Sequence, residues 1–292
     1  FADSSAIAVY LLAKKTRQKV TVALSGDGGD ELFAGYNKHK AELMVRNSPV
    51  LNMLLKPLAP ALALLPQARH SKFANLFRKV HRYADGANLS PAERYWRWCS
   101  IQTQPQALGY FSNKSLVDIA AVNTRRTAIT DYIKPSGSIN DILYADTNMV
   151  LPGDMLTKVD LMSMANSLEV RVPLLDYNVV NYAFSLPAAY KIDAGGGKKI
   201  LKDAFRDILP SELYNRPKHG FEVPLRKWLI GGLNHLIEGQ LFSKDYLIAQ
   251  NIFDFRKVET LKKQLYSDNP GDAHATIWAL LVFQYWHKKF IA

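Results

Sequence analysis

The chain has 292 residues, 48% of them hydrophobic, which provides for a large core and excludes a disordered chain. Lys and Arg number 37 against 26 Asp and Glu, a net charge of +11 that suits a polyanion such as ATP, pyrophosphate or nucleic acid. The single cysteine, Cys99, excludes an intrachain disulfide and any multi-cysteine metal site; it reads as a packing residue, compatible with a reducing, cytoplasmic setting.

In chain order, Asp3-Ser4-Ser5 can cap a helix over 6–17, with Ile7 and Leu11 on its apolar face. Residues 20–24 are an unbroken apolar run, which predicts a strand buried on both faces, as in a parallel sheet. The run Ser25-Gly26-Asp27-Gly28-Gly29-Asp30-Glu31 follows as a tight turn, and a helix is predicted over 32–45. Three carboxylates within five residues repel one another and invite a cation. Gly26, Gly28 and Gly29 let the main chain approach a ligand, and the following helix start offers N–H groups to an anion.

The most apolar region, 50–65, contains Lys56, Pro57 and Pro60; it is too short and broken to cross a bilayer and reads as a buried helical hairpin or packed loop. The stretch from Arg69 to Tyr83 is basic with interleaved aromatics. A nucleic-acid surface is one reading, but such a stretch is more often one solvated helix face, so neither nucleic acid nor membrane is expected as a partner. Helices are predicted over 92–101, 138–151, 154–165, 178–186, 198–209 and 274–290, punctuated by prolines.

A parallel strand needs parallel neighbours, and none is evident downstream of 20–24. The chain also begins with Phe1. The expectation is therefore a piece of a longer protein whose earlier residues supply the rest of the sheet, with the first helix as a crossover. The rival explanation is a strand missed further along.

Several charged residues admit two readings. Asp30 and Glu31 are either metal ligands or first-turn residues that favour the helix dipole; Asp27 and the glycines are superfluous for a helix start. Lys198 follows Gly195-Gly196-Gly197 and opens a helix, where it opposes the dipole; a solvated lysine is the plain alternative. Asp154 and Lys158 are spaced for an i,i+4 ion pair, with Asp160 on another side. Glu169 and Arg171 lie two apart in an extended stretch and project from one side as a structural ion pair. Asp176 caps the helix that follows it. Arg216, Lys218 and His219 sit in a Pro- and Gly-containing loop that either closes over phosphates or is simply solvated.

The run Ser25 to Tyr36 (SGDGGDELFAGY) resembles the synthetase domain of glutamine-dependent asparagine synthetases. Further segments agree in the family's order: Leu151-Pro152-Gly153-Asp154 through Lys158 and Asp160 to Ala165; Ser167-Leu168-Glu169-Val170-Arg171-Val172-Pro173 to Asp176; Lys198 to Phe205; and Arg216-Pro217-Lys218-His219-Gly220-Phe221. Two family features are not found: an N-terminal glutaminase domain with an initial cysteine, and a Ser-Gly-Gly-x-Asp-Ser pyrophosphate loop, of which Asp3-Ser4-Ser5 is only an echo.

The resemblance implies an α/β, mostly helical fold, with a partial PP-loop ATPase (adenine nucleotide alpha hydrolase-like) sheet and a large C-terminal helical region. It makes 1–292 one asparagine synthetase domain, truncated at its N-terminus. It implies ATP-dependent amidation of aspartate through a β-aspartyl-AMP, with ATP and Mg²⁺ as cofactors. Ammonia comes from glutamine through the glutaminase domain, and a homodimer is possible. It assigns Asp27 and Lys198 as catalytic, Ser25, Gly26, Gly28 and Gly29 to ATP, and Asp30 and Glu31 to the metal. Asp154, Lys158, Asp160, Glu169, Arg171 and Lys218 become candidates for the cleft. On that basis the isolated chain is expected to have little activity. The rivals are a ligase for another carboxylate, a non-catalytic basic binding module, and a packing or dimer subunit.

Overall fold

The computed structural model describes residues 1–55, 57, 72–215 and 220–291. The stretch 58–71, Arg216, Lys218 and His219 lie outside the described residues, and with them most of the predicted 50–65 hairpin, the start of the basic stretch and the basic loop.

Helix α1 (Ala6–Arg17) forms where the sequence places it. Its start is held by Asp3, whose carboxylate accepts the Ser5 N–H at 2.9 Å. Strand β1 (Val22–Leu24) follows. The sheet corrects two expectations. A parallel partner does exist downstream: β2 (Glu169–Arg171) pairs with β1 in the register Val22–Glu169, Ala23–Val170, Leu24–Arg171. Nor are both faces of β1 covered by the described residues, since Val22 is 40% and Leu24 73% exposed. Each strand turns its central residue inward, and the outward positions carry Glu169 and Arg171 on β2.

The helix predicted over 32–45 is two pieces. A short α2 (Gly29–Leu32) starts at Gly28 in the left-handed region, φ 85°, and stops at Phe33; α3 (Asn37–Asn47) begins after a second turn. Between them Ala34 has φ 58°, which costs a non-glycine residue on the order of 1 kcal/mol. The break is held from outside: the Lys198 N–H donates to Phe33 O at 2.7 Å, and Gly35 N–H to Asp30 O at 2.9 Å. Lys198 reaches this place on a two-residue hairpin, β3 (Ile192–Asp193) and β4 (Gly196–Gly197). It is itself left-handed, φ 60°, and the helix after it ends at Ala204, shorter than predicted. Gly197 has no room for a side chain, because an added Cβ would overlap the Ala34 carbonyl.

Residues 151–156 form a wide π-type turn ahead of the Thr157–Met164 helix, so Asp154 is not the first residue of a regular helix. Several apolar clusters result among the described residues. Leu32, Phe33, Ala34, Ile139 and Leu143 pack around α2, α3 and the Ile139–Asn148 helix. The C-terminal helices Leu225–Ile230, Phe255–Tyr266 and Ala273–Phe290 close on their own core, with Leu229, Ile237, Val258, Leu265 and Ile277 each at most 1% exposed. The chain is thus a mostly helical α/β structure with small sheets.

Candidate active site

A cavity of about 1270 Å³ lies between these two parts. One wall is the turn after β1, with Ser25, Gly26, Asp27 and Gly28, joined by Asp30, Glu31 and Tyr36. The start of α1 supplies Asp3, Ser4 and Ser5, and the Thr157–Met164 helix supplies Lys158. The far wall is C-terminal, with Phe221, Glu222, Lys227 and His274 among its residues.

The turn is shaped by close packing. An added Cβ on Gly28 would overlap Leu175, and Gly28 is left-handed as well, so a side chain is excluded there twice over. Gly26 by contrast meets nothing within 4 Å and leaves its backbone open to the cavity. The Ser25 hydroxyl donates to the Asp27 carboxylate. The Ser25 N–H continues the sheet by donating to Arg171 O at 2.8 Å, so β2 fixes where this turn begins.

Asp30 and Glu31 are adjacent but differ in environment. Asp30 forms an ion pair with Lys198, Oδ1 to Nζ 3.1 Å, both side chains partly exposed. Glu31 is 1% exposed and accepts a hydrogen bond from the Tyr36 hydroxyl. Burial raises the Glu31 carboxyl above its ordinary range, and burial together with the Glu31 charge raises the Tyr36 phenol. Neither carboxylate caps the helix; the cap position is Gly28.

Lys158 does not pair with Asp154 as the i,i+4 spacing predicts. The wide turn carries Asp154 off that line, and Lys158 Nζ meets Asp3 Oδ2 at 2.7 Å. Burial works against the Asp3 charge, but Lys158 and Ser5 outweigh it and hold the carboxyl below its usual range. Burial and the neighbouring Asp3 push Asp154 up to about 6, and its Oδ1 is buried without a hydrogen-bond partner. Asp3 is the residue that sequence spacing missed, being 155 positions from its partner; the Asp3-Ser4-Ser5 echo was the available signal.

Glu169 and Arg171 do form a pair, at 2.8 Å, but on the outer face of β2, both more than half exposed, while Val170 faces the cavity. Asp160 is exposed and outside the cavity wall. Asp176 caps its helix through the Asn178 N–H. In the basic stretch, the described helix Lys72–Ala87 packs against Pro91–Cys99, with Arg97 paired to Asp85 at 2.9 Å and Trp98 donating to Arg82 O. Cys99 is half-buried, accepts from Lys38 at 3.2 Å, and burial raises its thiol pKa, in keeping with a packing role.

The fit to Mg²⁺ rests on donor chemistry. The cavity wall carries oxygen donors, as Mg²⁺ requires, and one of its carboxylates, Asp30, stands next to the Lys198 ammonium. Among the described residues no three or more His, Cys, Asp or Glu side chains form a ready-made metal cluster. That arrangement suits a cation brought in with phosphate oxygens, held by one or two carboxylates.

A turn of glycines and carboxylates at the end of a parallel strand thus faces a lysine carried by a separate hairpin. The asparagine synthase family model matches residues 1–288, and this chain belongs to that family. It is 32% identical over 297 residues to asparagine synthetase (glutamine-hydrolyzing) 1 of Bacillus subtilis (strain 168), covering 98% of this chain and 43% of that protein. It is 30% identical to a putative asparagine synthetase (glutamine-hydrolyzing) of Mycobacterium tuberculosis (strain ATCC 25618 / H37Rv), covering 99% of this chain and 42% of that protein. It is also 24% identical over 282 residues to amidase chyE of Penicillium rubens. The chain spans about two fifths of the length of these three relatives.

Proposed function

We propose that this chain is the synthetase part of a ligase that converts aspartate to asparagine by ATP-dependent amidation. The supporting observation is Asp30, which lines the cavity beside the Ser25–Gly28 turn and pairs with Lys198 behind it, the cavity's other near wall being the Asp3-Ser4-Ser5 start of α1. On this reading the fold is the PP-loop ATPase type, and the two helix starts and the open Gly26 backbone face the triphosphate. Lys198 offsets charge that builds on the α-phosphate and the departing pyrophosphate as the side-chain carboxylate of aspartate attacks. Asp27, tethered by Ser25, orients the incoming ammonia and takes a proton from it as it attacks the β-aspartyl-AMP, releasing AMP. Mg²⁺, when bound, would polarise the phosphoryl oxygens, with the partly exposed Asp30 to hold it and Glu31 as a buried support. Ammonia would come from glutamine through a glutaminase domain, as in relatives whose names include glutamine hydrolysis. The protein would act in the cytoplasm, as a possible homodimer.

Aspartate-dependent ATP–pyrophosphate exchange by the full-length protein tests this. Lys198→Ala is expected to lower it about 100-fold, the scale for losing one charge-stabilising donor. Exchange unaffected by that substitution refutes the assignment. A second reading is the same amidation of another carboxylate, since the motifs serve adenylation and not side-chain choice. A panel of carboxylates in the same assay decides between them.

A further inference from the structure

Behind Tyr36 lies a buried polar cluster that the proposed reaction does not use. Asp146, fully buried, accepts three hydrogen bonds: from Lys38 Nζ at 2.5 Å, from His39 Nε2 at 2.7 Å and from the Tyr95 hydroxyl at 2.9 Å. Lys38 also reaches Cys99 and lies over the rings of Tyr36 and Tyr95. Such a cluster is costly to bury, and a local reason accounts for only part of it: Lys38 and Asp146 would balance each other without a histidine.

His39 is what connects this cluster to the cavity. It is 0% exposed, and burial holds its pKa below the ordinary histidine value. Its Nδ1 accepts the Tyr36 N–H at 3.2 Å, which leaves the ring proton on Nε2, directed at Asp146. The His39 and Tyr36 rings touch, with centroids 5.4 Å apart. Tyr36 in turn donates its hydroxyl to Glu31 on the cavity wall. The chain of contacts runs Asp146, His39, Tyr36, Glu31, each link a hydrogen bond between groups that are buried or half-buried. Asp146 comes from the Ile139–Asn148 helix, an element remote in sequence, so it references the cavity wall to the core.

We propose that Asp146, acting through His39, is a positioning residue that holds Tyr36, and with it Glu31, in place at the cavity wall. The activity readout rests on the reaction proposed above; a second readout does not.

Two substitutions cut the bridge at opposite ends without changing charge. In His39→Asn the amide oxygen can still accept the Tyr36 N–H, but contact with Asp146 is lost. In His39→Gln the amide N–H can still reach Asp146, but the Tyr36 bond is lost. If the bridge matters as a whole, both shift the fluorine NMR resonance of Tyr36 in full-length protein labelled with 3-fluorotyrosine, that signal being assigned by its loss in Tyr36→Phe. Both also lower kcat for ATP–pyrophosphate exchange by about 10–100-fold, the scale of supporting-shell losses, with KM for ATP much less affected. Adding His39→Asn to Tyr36→Phe then causes no further loss, because both act on one link. A Tyr36 resonance unmoved in either variant, or losses that add in the double variant, overturns the proposal. Should neither variant fold, Tyr95→Phe removes one donor from Asp146 and leaves His39 in place; an unmoved Tyr36 signal there overturns it equally. Absence of exchange in the wild-type protein refutes the reaction and leaves the fluorine result to stand on its own.

Discussion

The Gly35→Ala substitution offers a sharp test of the site geometry, because it adds one methyl group where the two side chains of the proposed Asp30–Lys198 pair meet. Gly35 has ordinary backbone angles, so alanine brings no φ penalty. The added Cβ would overlap Asp30 Oδ1 and stand 2.5 Å from Lys198 Cε, where ordinary contacts begin near 3.4 Å. The lysine alone must yield close to 1 Å, and the carboxylate must move as well. Stability suffers modestly: overpacking costs about 1–3 kcal/mol, and a partly exposed ion pair contributes at most about 1 kcal/mol. Function suffers more, since a 1 Å misplacement can cost about 100-fold, equivalent to about 2.7 kcal/mol of barrier. The expected result is an exchange rate near that of Lys198→Ala in a protein that still melts cooperatively. Gly232→Ala is the control, with nothing within 4 Å of its Cβ and no positive φ. A Gly35→Ala protein with wild-type exchange would refute the idea that the Asp30–Lys198 pair serves the reaction.

Glu42→Gln probes the scaffold behind the site. Glu42 is 1% exposed and receives Arg94 in a two-pronged grip, at 2.6 and 2.8 Å, together with Arg46 at 2.7 Å. Loss of the charge leaves the buried Arg94 unbalanced, so denaturant melts should show a drop of about 3–5 kcal/mol, with exchange per folded molecule unchanged. Lys191→Met should act in the other direction. Lys191 is 0% exposed, bonded to Asn140 at 2.8 Å, and burial lowers its pKa to about 8. The native state therefore sheds a proton that the unfolded chain keeps between about 8 and 10.5. The charged form is a liability in full below pH 8, and it fades as pH rises through that window. The methionine variant should be the more stable by about 1 kcal/mol at pH 6.5, the buried-charge gain exceeding the lost hydrogen bond, and this advantage should shrink by pH 10 in paired thermal melts.

How much of the fold can be read in advance depends on whether the determining contacts are local. Helix α1 and the helices Pro91–Cys99 and Tyr177–Ser185 follow from caps, periodicity and proline, all within a few residues. Strand β2 is three residues long and holds two charges, which gives it no apolar signature. Its strand character comes from β1, and the alternation of Glu169, Val170 and Arg171 is intelligible only once one face is known to look outward. The missed break at 33–35 has the same cause. Nothing in Phe33-Ala34-Gly35 forbids a helix as firmly as proline would; the left-handed Ala34 is imposed by the β3–β4 hairpin, which bonds to Phe33 O.

The site divides along the same line. Ser25 to Glu31 can be picked out in advance as a candidate, because a helix start alone needs neither Asp27 nor three glycines. The partners that complete the arrangement do not. Lys198 faces Asp30 through a hairpin remote in sequence, and its local position at a helix start argues for solvent as much as for a site. Lys158 has a plausible partner at Asp154, but only on a regular helix; one wide turn redirects Asp154, leaves its Oδ1 without a partner and gives Lys158 to Asp3. That exchange brings the start of α1 into the same cavity as the glycine turn. An i,i+4 spacing is therefore a conditional statement about backbone geometry, and here the backbone that breaks the condition is the one that joins the two near walls of the site.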